Sequence, residues 1–354
     1  MTYRRGALGH QGDPAGVHVV LPGNIDDPAA PSGGNRYDRA VCDGLARYRP
    51  VHEIAINGSW PRPAAAARRA LARALGDISD ESTVVMDGLV ACGVPEVVEP
   101  EAGRLRFVVL VHLPLGDETG LSPAEAAELT ASERRVLRAA AAVVVTSEGA
   151  ARRVVELHGL PLERVHVARP GVDPARLADA GPGGGRLLCV AAVTPRKGQD
   201  VLVEALRSLE DLDWSCTCVG SVDRGVPQAP GRVRFTGPKT GADLDAAYAA
   251  ADLLVLPSRA ETYGMVVTEA LARGIPVLGT QVNGVTEALG TAPDGARPGR
   301  LVPPGDAAAL AGALREWLTD AELRRRWRAA ARARRQALPG WDETVRRLIG
   351  VLDA

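Results

Sequence analysis

The sequence has few aromatic residues, almost no lysine and no excess of charge of either sign. Aromatic residues make up 3% of its 354 positions, and 42 basic residues are balanced by 43 acidic ones. A chain so close to neutrality lacks the basic surface that nucleic-acid binding requires, so no nucleic-acid partner is expected. Only two of the basic residues are lysines, Lys197 and Lys239. A lysine in a ligand-binding setting is therefore more informative here than in an average protein.

Long apolar runs and paired cysteines are also lacking. No run reaches the roughly 20 apolar residues that cross a bilayer, and Arg4-Arg5 is not followed by the apolar segment of a signal peptide. The five cysteines are odd in number and have no Cys-x-x-Cys spacing: Cys42, Cys92, Cys189, Cys216 and Cys218. We expect buried, reduced thiols in a cytoplasmic protein and disorder in residues 1–15.

Length and periodicity predict two α/β domains. A chain of 354 residues with 46% hydrophobic residues fits two cores of roughly 170 residues each. Strand and helix patterns alternate through the chain, and the run Gly181-Pro-Gly-Gly-Gly185 interrupts them. We expect two Rossmann-like, doubly wound domains at 16–170 and 186–340, joined by a linker at 171–185 and facing each other across a cleft.

The predicted elements can be given by range. The predicted strands are 17–21, 51–56, 83–86, 106–111, 142–146 and 165–168 in the first domain, and 186–190, 214–219, 233–235, 253–256, 276–278 and 299–302 in the second. The predicted helices of the first domain are 37–47, 64–75, 124–138 and 147–157. The tail 307–352 is predicted to be helical, with one break at Pro339-Gly340.

Two glutamates surround one predicted helix start. The strand pattern 252–258 is followed by Glu261, and a helical pattern then runs from Gly264 to Arg273. Glu261 thus falls at the carboxyl edge of a parallel sheet, where open α/β sheets bind ligands. The amides at the helix start favour an anion. Glu269, in the second turn, can project to the same place, and a carboxylate that accepts two hydrogen bonds suits a vicinal diol.

A second loop carries cations to the same edge. The strand 187–192 is the predicted neighbour of the strand that precedes Glu261. It is followed by Arg196, Lys197 and Gly198, and the helix 199–209 begins directly after them. The two Asp-x-Asp pairs, Asp211-x-Asp213 and Asp243-x-Asp245, fall in a turn and at a helix start, where Asp is a common cap. No metal site and no cofactor are predicted.

These motifs resemble those of a known family. Leu256-Pro-Ser-Arg-Ala-Glu-Thr-Tyr-Gly-Met-Val-Val-Thr-Glu-Ala270 is similar to the Glu-x7-Glu signature of retaining, nucleotide-sugar-dependent glycosyltransferases of family 4, which have the GT-B fold. Further landmarks lie in the expected order within 169–319: Arg169-Pro-Gly-Val-Asp173, Thr194-Pro-Arg-Lys-Gly198, Arg234-Phe-Thr-Gly237 and Leu301-Val-Pro-Pro-Gly-Asp306. The N-terminal half resembles the family more weakly, through Ser32-Gly-Gly-Asn35 and Val111-His-Leu-Pro114.

The resemblance implies a donor site for a UDP- or GDP-linked sugar in the C-terminal domain and a hexosyltransferase activity. It implies that Glu261, His112 and Lys197 are catalytic, with Glu261 on the donor-sugar hydroxyls. It implies a donor-binding set of Arg196, Lys197, Gly264, Met265, Val266, Glu269 and Gly34, with Glu269 on the ribose. The family usually has an Arg five residues before the Lys, and Ala192 occupies that position here, with Arg196 as the candidate replacement.

The first domain would then bind the acceptor, a small molecule or a glycan. Asn35, Trp60 and Asp87 are the candidate acceptor-binding residues. In GT-B enzymes the last helix crosses back to the first domain, and the break before Trp341 resembles that crossover, so 341–354 is expected to pack on the first domain. Arg68, Arg69 and Arg73 on the helix 64–75 allow at most weak peripheral contact with a membrane. The oligomeric state is left open.

Three other interpretations remain. A GT-B sugar-nucleotide 2-epimerase would use the carboxylates for proton abstraction and need no acceptor. A dinucleotide-dependent oxidoreductase is disfavoured because neither first βα loop has Gly-x-Gly-x-x-Gly. A pseudoenzyme that binds a nucleotide-sugar without transfer is consistent with Ala192.

Overall fold

A computed structural model describes residues 16–29, 31–222, 225 and 227–354. The predicted disorder of residues 1–15 lies outside these residues. The chain divides into two compact units: Met1–Asp27, Ser32–Pro170 and Trp341–Ala354 form unit 1, and Pro28–Pro31 with Gly171–Gly340 forms unit 2.

Unit 1 is built on a six-stranded parallel sheet. Its strands are β1 (Val17–Pro22), β2 (Val51–Ile56), β3 (Thr83–Asp87), β4 (Arg106–Val111), β5 (Ala142–Val145) and β6 (Val165–Val167), in the order β2-β1-β3-β4-β5-β6. Its helices in this part of the chain are α1 (Gly33–Leu45), α2 (Ala65–Gly76), α3 (Gly88–Ala91), α4 (Pro95–Val98), α5 (Pro123–Ala139) and α6 (Glu148–His158).

Unit 2 repeats this plan. Its strands are β7 (Arg186–Val190), β8 (Ser215–Val219), β9 (Val233–Phe235), β10 (Leu253–Leu256), β11 (Val277–Thr280) and β12 (Gly299–Val302), in the order β12-β11-β10-β7-β8-β9. Its helices are α7 (Gln199–Arg207), α8 (Gly241–Ala249), α9 (Met265–Ala272), α10 (Val285–Leu289), α11 (Ala307–Thr319) and α12 (Ala321–Arg335).

The last helix, α13 (Trp341–Leu352), belongs to unit 1. Its apolar side chains Val345 and Leu348 are buried in the same core cluster as Val41 and Leu45 of α1. The Arg106 guanidinium on β4 donates to the carbonyl of Val351 at 2.9 Å, which satisfies a C-terminal carbonyl of α13.

The central strands are buried on both faces, which explains their nearly continuous apolar sequences. Residues 253–256 of β10, for example, are at most 1% exposed. Every predicted strand is present, with ends within a residue or two of the prediction, because short β-branched runs bounded by turn residues are a local signal.

The predicted helical tail needs one correction. It has a second break, at Asp320, between α11 and α12. The Asp320 carboxylate accepts hydrogen bonds from the amides of Glu322 (2.8 Å) and Leu323 (3.0 Å), so it ends one helix and caps the next. The short helices α3, α4 and α10 were not predicted either, since one or two turns carry too little periodicity.

The glycine run before β7 lies in no helix or strand but is anchored in unit 2. The Gly181 amide donates to Asp252 Oδ1 at 2.7 Å, and the Gly184 carbonyl accepts from Trp317 Nε1 at 2.7 Å. Unit 2 therefore begins before its first strand.

Candidate functional site

The strands β7 and β10 are neighbours in the sheet of unit 2, so the loops that follow them meet at its carboxyl edge. The Arg259 amide donates to the Arg196 carbonyl at 2.7 Å, which joins the two loops. Lys197 Nζ forms an ion pair with Glu261 Oε1, and Ser258 Oγ donates to the same oxygen at 3.1 Å. The sequence predicted that these two loops would lie side by side, and this is confirmed.

Glu261 is a buried carboxylate that stays charged. Its residue is 6% exposed, and this burial opposes ionisation. The charges of Lys197 and Arg196 and the Ser258 hydrogen bond act the other way and hold the pKa of Glu261 below its usual value. Glu261 is therefore ionised at neutral pH, in contact with a cation and a hydroxyl.

The Lys197 loop is fixed by a glycine and an ion pair. Gly198 has φ +69°, and a Cβ there would lie 2.2 Å from the Pro257 carbonyl oxygen, so only glycine allows the loop to pack on the end of β10. Arg259 binds Asp200 with both terminal nitrogens, at 2.8 and 2.6 Å. This bidentate pair connects the loop after β10 to the first turn of α7.

Glu269 is held within unit 2. The residue is 7% exposed, and the buried Tyr248 hydroxyl donates to Glu269 Oε2 at 2.7 Å. The Arg273 guanidinium lies over the Tyr248 ring, 4.5 Å from its centroid, and Arg273 Nη1 donates to the Glu269 carbonyl at 2.9 Å. Glu269 is therefore an oriented side chain, and Tyr248 is a supporting residue that the sequence analysis missed.

The start of α9 favours an anion. Gly264 precedes the helix in the left-handed region, with φ +84°, and no side chain of the described residues caps α9. The first amides of a helix have no intrahelical partner, and the helix dipole is positive at this end. Met265 and Val266 supply these amides, in the loop-helix junction after β10.

One carboxylate of each Asp-x-Asp pair is bound to an arginine. Asp211 binds Arg315 at 2.7 and 2.9 Å. Asp245 forms an ion pair with Arg273, and Asp243 lies in the first turn of α8. At the position where the family has an arginine, the carbonyl of Ala192 accepts from Gln199 Nε2 at 3.0 Å.

Unit 1 has its own polar group at the carboxyl ends of its strands. His112 follows β4, and its Nε2 lies 2.7 Å from Oδ1 of Asp38 on α1 and 3.9 Å from Oδ2 of Asp87 at the end of β3. Gly34, at the start of α1, allows close approach, since a Cβ there would lie 3.1 Å from His112 Cδ2. The Tyr37 ring meets the imidazole edge to face, with ring centroids 5.1 Å apart.

The charges in this group are strongly coupled. Burial disfavours the protonated imidazole, but the Asp38 charge and hydrogen bond, with the Asp87 charge, raise the pKa of His112 to about 9. Burial and the Asp38 charge raise the pKa of Asp87 well above its usual value. His112 is thus an imidazolium at neutral pH, and Asp87 retains a proton more readily than an exposed carboxyl.

Asp38, Asp87 and His112 each offer one possible metal-ligand atom, all within 4.8 Å of one another. They are the described residues whose chemistry could hold a divalent cation. His112 Nε2 and Asp38 Oδ1 are 2.7 Å apart, which is a hydrogen-bond distance. Two ligand atoms that each lie about 2.1 Å from one ion are farther apart, at roughly 3 Å.

Asp38 was missed in the sequence, although a signal was present. It shares the spacing i, i+3, i+4, i+7 with Val41, Cys42 and Leu45, the apolar stripe of α1, and all four residues are buried. A charged residue within such a stripe requires a partner. That partner is His112, 74 positions away.

The candidate acceptor residues are spread over unit 1. Asn35 Nδ2 donates to the Asn24 carbonyl at 3.3 Å, and Ser32 caps α1 by accepting from the Asn35 amide at 3.0 Å. Trp60 Nε1 donates to the Ile56 carbonyl at 3.0 Å, and the ring packs against the core. Asp87 caps α3 through the Leu89 amide. Their role in acceptor binding stays a prediction.

The basic helix α2 is partly neutralised. Arg68 binds Glu96 at 2.8 Å, which favours a solvated helix over a membrane-binding one. Among the described residues, we find no helix with the length and apolar character needed to span a bilayer.

Both halves of the chain match profiles of known families. Residues 17–176 match the family described as Glycosyltransferase Family 4, and residues 182–334 match Glycosyl transferases group 1. The chain belongs to glycosyltransferase family 4. Curated family members similar to it include a D-inositol 3-phosphate glycosyltransferase of Jonesia denitrificans, 31% identical over 268 residues, and one of Salinispora tropica, 32% identical over 256 residues. The matches cover 66% and 62% of this chain, and only 62% and 52% of the relatives' own length.

Solved structures of glycosyltransferases share the fold. Sucrose-phosphate synthase from Thermosynechococcus elongatus superposes with a TM-score of 0.76 at 19% identity, over 96% of this chain and 98% of that one. Anabaena HepE, solved with UDP and glucose, superposes with a TM-score of 0.71 at 16% identity, over 95% of this chain and 99% of that one. The predicted family and its GT-B fold of two Rossmann-like domains are thus confirmed.

Proposed function

We propose that this family 4 member is a retaining hexosyltransferase that moves a sugar from a UDP- or GDP-linked donor to a hydroxyl-bearing acceptor without a metal. The observation that carries this proposal is the arrangement in unit 2. A lysine, an arginine and a buried glutamate meet at the ends of β7 and β10, and an oriented Glu269 follows on α9. This combination has groups suited to a diphosphate, a sugar and a ribose.

The diphosphate is the part of the donor that most needs stabilisation, because negative charge grows on its leaving oxygen as the glycosidic bond breaks. Lys197, Arg196 and the amides that begin α9 are fixed positive groups in unit 2. Preorganised donors of this kind stabilise such charge without reorganisation. They support a mechanism that needs no metal.

Glu261 would accept hydrogen bonds from the donor-sugar hydroxyls. Its Oε1 contacts Lys197 and Ser258, and a carboxylate has lone pairs for further donors. A carboxylate held by an ion pair is suited to orient a sugar, and we assign it that role rather than nucleophilic attack. Retention would follow from attack on the same face as the leaving phosphate, which takes the acceptor proton, so that catalysis is positioning and charge stabilisation.

The acceptor would bind to unit 1 near Asn35, Trp60 and Asp87. The curated relatives are named for D-inositol 3-phosphate, and phosphorylated cyclitols are therefore the first acceptors to screen. We also propose a cytoplasmic location, because all five cysteines are free and buried and disulfides are rare in reducing compartments.

A thermal-shift panel tests the donor assignment. Purified protein would be heated with UDP, GDP, ADP, dTDP or NAD, each with and without EDTA. A ligand at 100 times its Kd adds about 2.7 kcal/mol, or roughly 5–10 °C in Tm for a domain of this size. We expect one nucleoside diphosphate to give this shift, unchanged by EDTA. Stabilisation by NAD alone, or by none of the five, would refute the assignment.

Incubation of the protein with the nucleotide-sugar donor, with and without acceptor, then tests the reaction. Transfer predicts a glycosylated product that forms only with acceptor and keeps the anomeric configuration of the donor. A new nucleotide-sugar formed without acceptor would instead identify an epimerase, and binding without either product would identify a pseudoenzyme.

A further inference from the structure

A small pocket lies at the amino ends of β10 and β11 in unit 2, on the sheet edge opposite to the Lys197 and Glu261 loops. The side chains of Arg273, Arg328 and Arg332 line it, and we call it the arginine pocket. Its volume is about 250 Å³, part of which is open to solvent. Pockets for drug-sized ligands measure roughly 300–1,000 Å³, so the arginine pocket suits a small ion.

Carboxylates neutralise part of the positive charge around the pocket. Asp252 is 2% exposed and accepts hydrogen bonds from Nε and Nη2 of Arg186, at 3.0 and 2.9 Å. The charge of Asp179 also acts on Arg186, and Asp245 forms an ion pair with Arg273. These contacts compensate Arg186 and Arg273. The two arginines that α12 contributes to the pocket therefore form an excess of positive charge.

Arg328 is a partly buried cation whose charge is incompletely compensated. Its Nη2 donates to the Gly181 carbonyl at 2.7 Å and lies 3.4 Å from Asp252 Oδ1. Its Nε is buried and has no acceptor among the described residues. Burial and the charges of Arg324 and Arg332 outweigh the attraction of Asp252 and hold the pKa of Arg328 below its usual value. A nearby anion would relieve both the charge repulsion and the missing hydrogen bond.

Arg332 presents its charge at the same pocket. It lies one turn after Arg328 on the same face of α12, and the residue is exposed. Its guanidinium forms no hydrogen bond or ion pair within the part of the chain that the structure describes. A Cβ on Gly274, where φ is +68°, would lie 3.1 Å from Arg332 Cγ. The stem of Arg332 is therefore packed against the turn between α9 and β11, while its guanidinium can bind a ligand.

We propose that the arginine pocket binds a small phosphoryl dianion through Arg328 and Arg332. A guanidinium presents several N–H donors in a planar fork, and this fork matches the oxygens of a phosphate. The dianion is either inorganic phosphate or the phosphate group of a small metabolite, since both offer the same oxygens. Binding at this edge of the sheet goes beyond the proposed transferase function and does not require it.

Arginine modification by phenylglyoxal tests the site residue by residue and needs no variant. The intact chain would be treated with and without inorganic phosphate at constant ionic strength, and modified peptides would be measured by mass spectrometry. We expect phosphate to slow the modification of Arg332 by at least about threefold, because bound ligand protects the residue in proportion to its occupancy. An unchanged rate at Arg332 would overturn the proposal.

Arg326 is the internal control of this experiment. It is exposed on the same helix, but it lies two residues before Arg328, or about 200° around the helix axis, and it does not line the pocket. We expect phosphate to leave its modification rate unchanged. Equal protection of Arg326 and Arg332 would indicate a general ionic effect and overturn the proposal.

Thermal-shift titration with inorganic phosphate separates this pocket from the proposed donor site, which also has groups suited to phosphate. We expect Arg332→Gln to raise the apparent Kd about fivefold or more, and Arg326→Gln and Lys197→Met to leave it within twofold. Loss of phosphate binding in Lys197→Met but not in Arg332→Gln would place the ion at the donor site and overturn the proposal. So would the absence of any stabilisation beyond that of chloride at the same ionic strength. The modification experiment decides alone if Arg332→Gln does not fold.

Glycerol 3-phosphate then identifies the source of the phosphoryl group. A lower Kd than that of inorganic phosphate, raised again in Arg332→Gln, would assign the pocket to a phosphate ester. A higher Kd would assign it to the free ion. Both results support a phosphoryl site, and a failure of both ligands to bind would overturn it. Nucleoside-diphosphate binding is measured separately, so a failure here is distinguishable from a failure of the transferase function.

Discussion

Replacement of Lys197 by methionine isolates the role of its charge in the donor site. Methionine preserves most of the length and apolar contact of the side chain but removes the ammonium that pairs with Glu261. Two consequences follow, one for ligand affinity and one for stability. They have different pH dependences and can be measured separately.

The affinity for a nucleoside diphosphate should fall strongly. A hydrogen bond to a charged group contributes about 1.5–3 kcal/mol, which corresponds to roughly a 10- to 150-fold increase in Kd. Isothermal titration calorimetry with the nucleotide chosen by the thermal-shift panel measures this change. A Kd within twofold of the wild type would refute the diphosphate assignment of Lys197.

The stability should fall as well, because a buried carboxylate loses its closest cation. Removal of one partner from a fully buried pair costs about 3–5 kcal/mol. Lys197 is 20% exposed, and Ser258 and Arg196 continue to stabilise Glu261. We therefore expect about 1–3 kcal/mol at pH 7.

The pH dependence identifies the cause of this loss. The pKa of Glu261 is lowered in the folded wild type, so its contribution is present above the unfolded value and is lost as the pH falls through the folded value. In Lys197→Met the pKa should rise and the penalty should shrink as Glu261 becomes protonated. Urea unfolding at pH 7 and pH 5 measures this, and an equal penalty at both would refute the electrostatic explanation.

The only other lysine provides the control. Lys239 lies between β9 and α8, and β9 is two strands from β7, or about 10 Å. Lys239→Met makes the same chemical change but leaves the cation that pairs with Glu261 in place. We expect less than a threefold change in Kd and no difference between the two pH values.

Four further predictions follow from the structure. Glu261→Gln should lower transfer at least 100-fold with less than a threefold change in nucleoside-diphosphate Kd, and equal losses of both would contradict the separation of roles. Tyr248→Phe removes a hydrogen bond to Glu269 and should raise Kd by about fivefold, roughly 1 kcal/mol. If Tyr248→Phe changed neither the Kd of UDP nor the Kd of its 2′-deoxy analogue, the ribose assignment would be contradicted. Gly264→Ala places a Cβ at φ +84° and should cost about 1–2 kcal/mol in unfolding free energy, whereas Gly312→Ala on the exposed side of α11 should not destabilise the protein. Finally, His112 has a raised pKa of about 9, so its stabilising contribution is complete below about pH 6.5 and is lost towards pH 9. Urea unfolding between these values should show a fall of roughly 3 kcal/mol, and a flat profile would be inconsistent with the ion pair.

The strands and the donor-side loops could be predicted from local sequence. An apolar run such as 253–256, closed by Pro257 and followed by Glu261 and Gly264, determines a strand, a loop and a helix start in that order. Parallel strands then bring successive carboxyl ends to one edge, which places the Lys197 and Glu261 loops together once their strands are neighbours. The helix break at Asp320 was harder to predict, because the helical pattern of the sequence continues through the residue whose side chain caps the next helix.

The supporting contacts could not be predicted in this way. Tyr248 and Glu269 lie 21 positions apart, on α8 and α9, and no local pattern joins them. Asp38 and His112 are 74 positions apart and meet because α1 packs into the same core cluster as residues of β4. The sequence by itself determined the elements, the order of the loops and the residue types available for a diphosphate and a sugar. Only the tertiary structure decided which distant carboxylate pairs with which cation or hydroxyl, because helix docking and strand order, rather than sequence spacing, bring buried polar groups within hydrogen-bond distance.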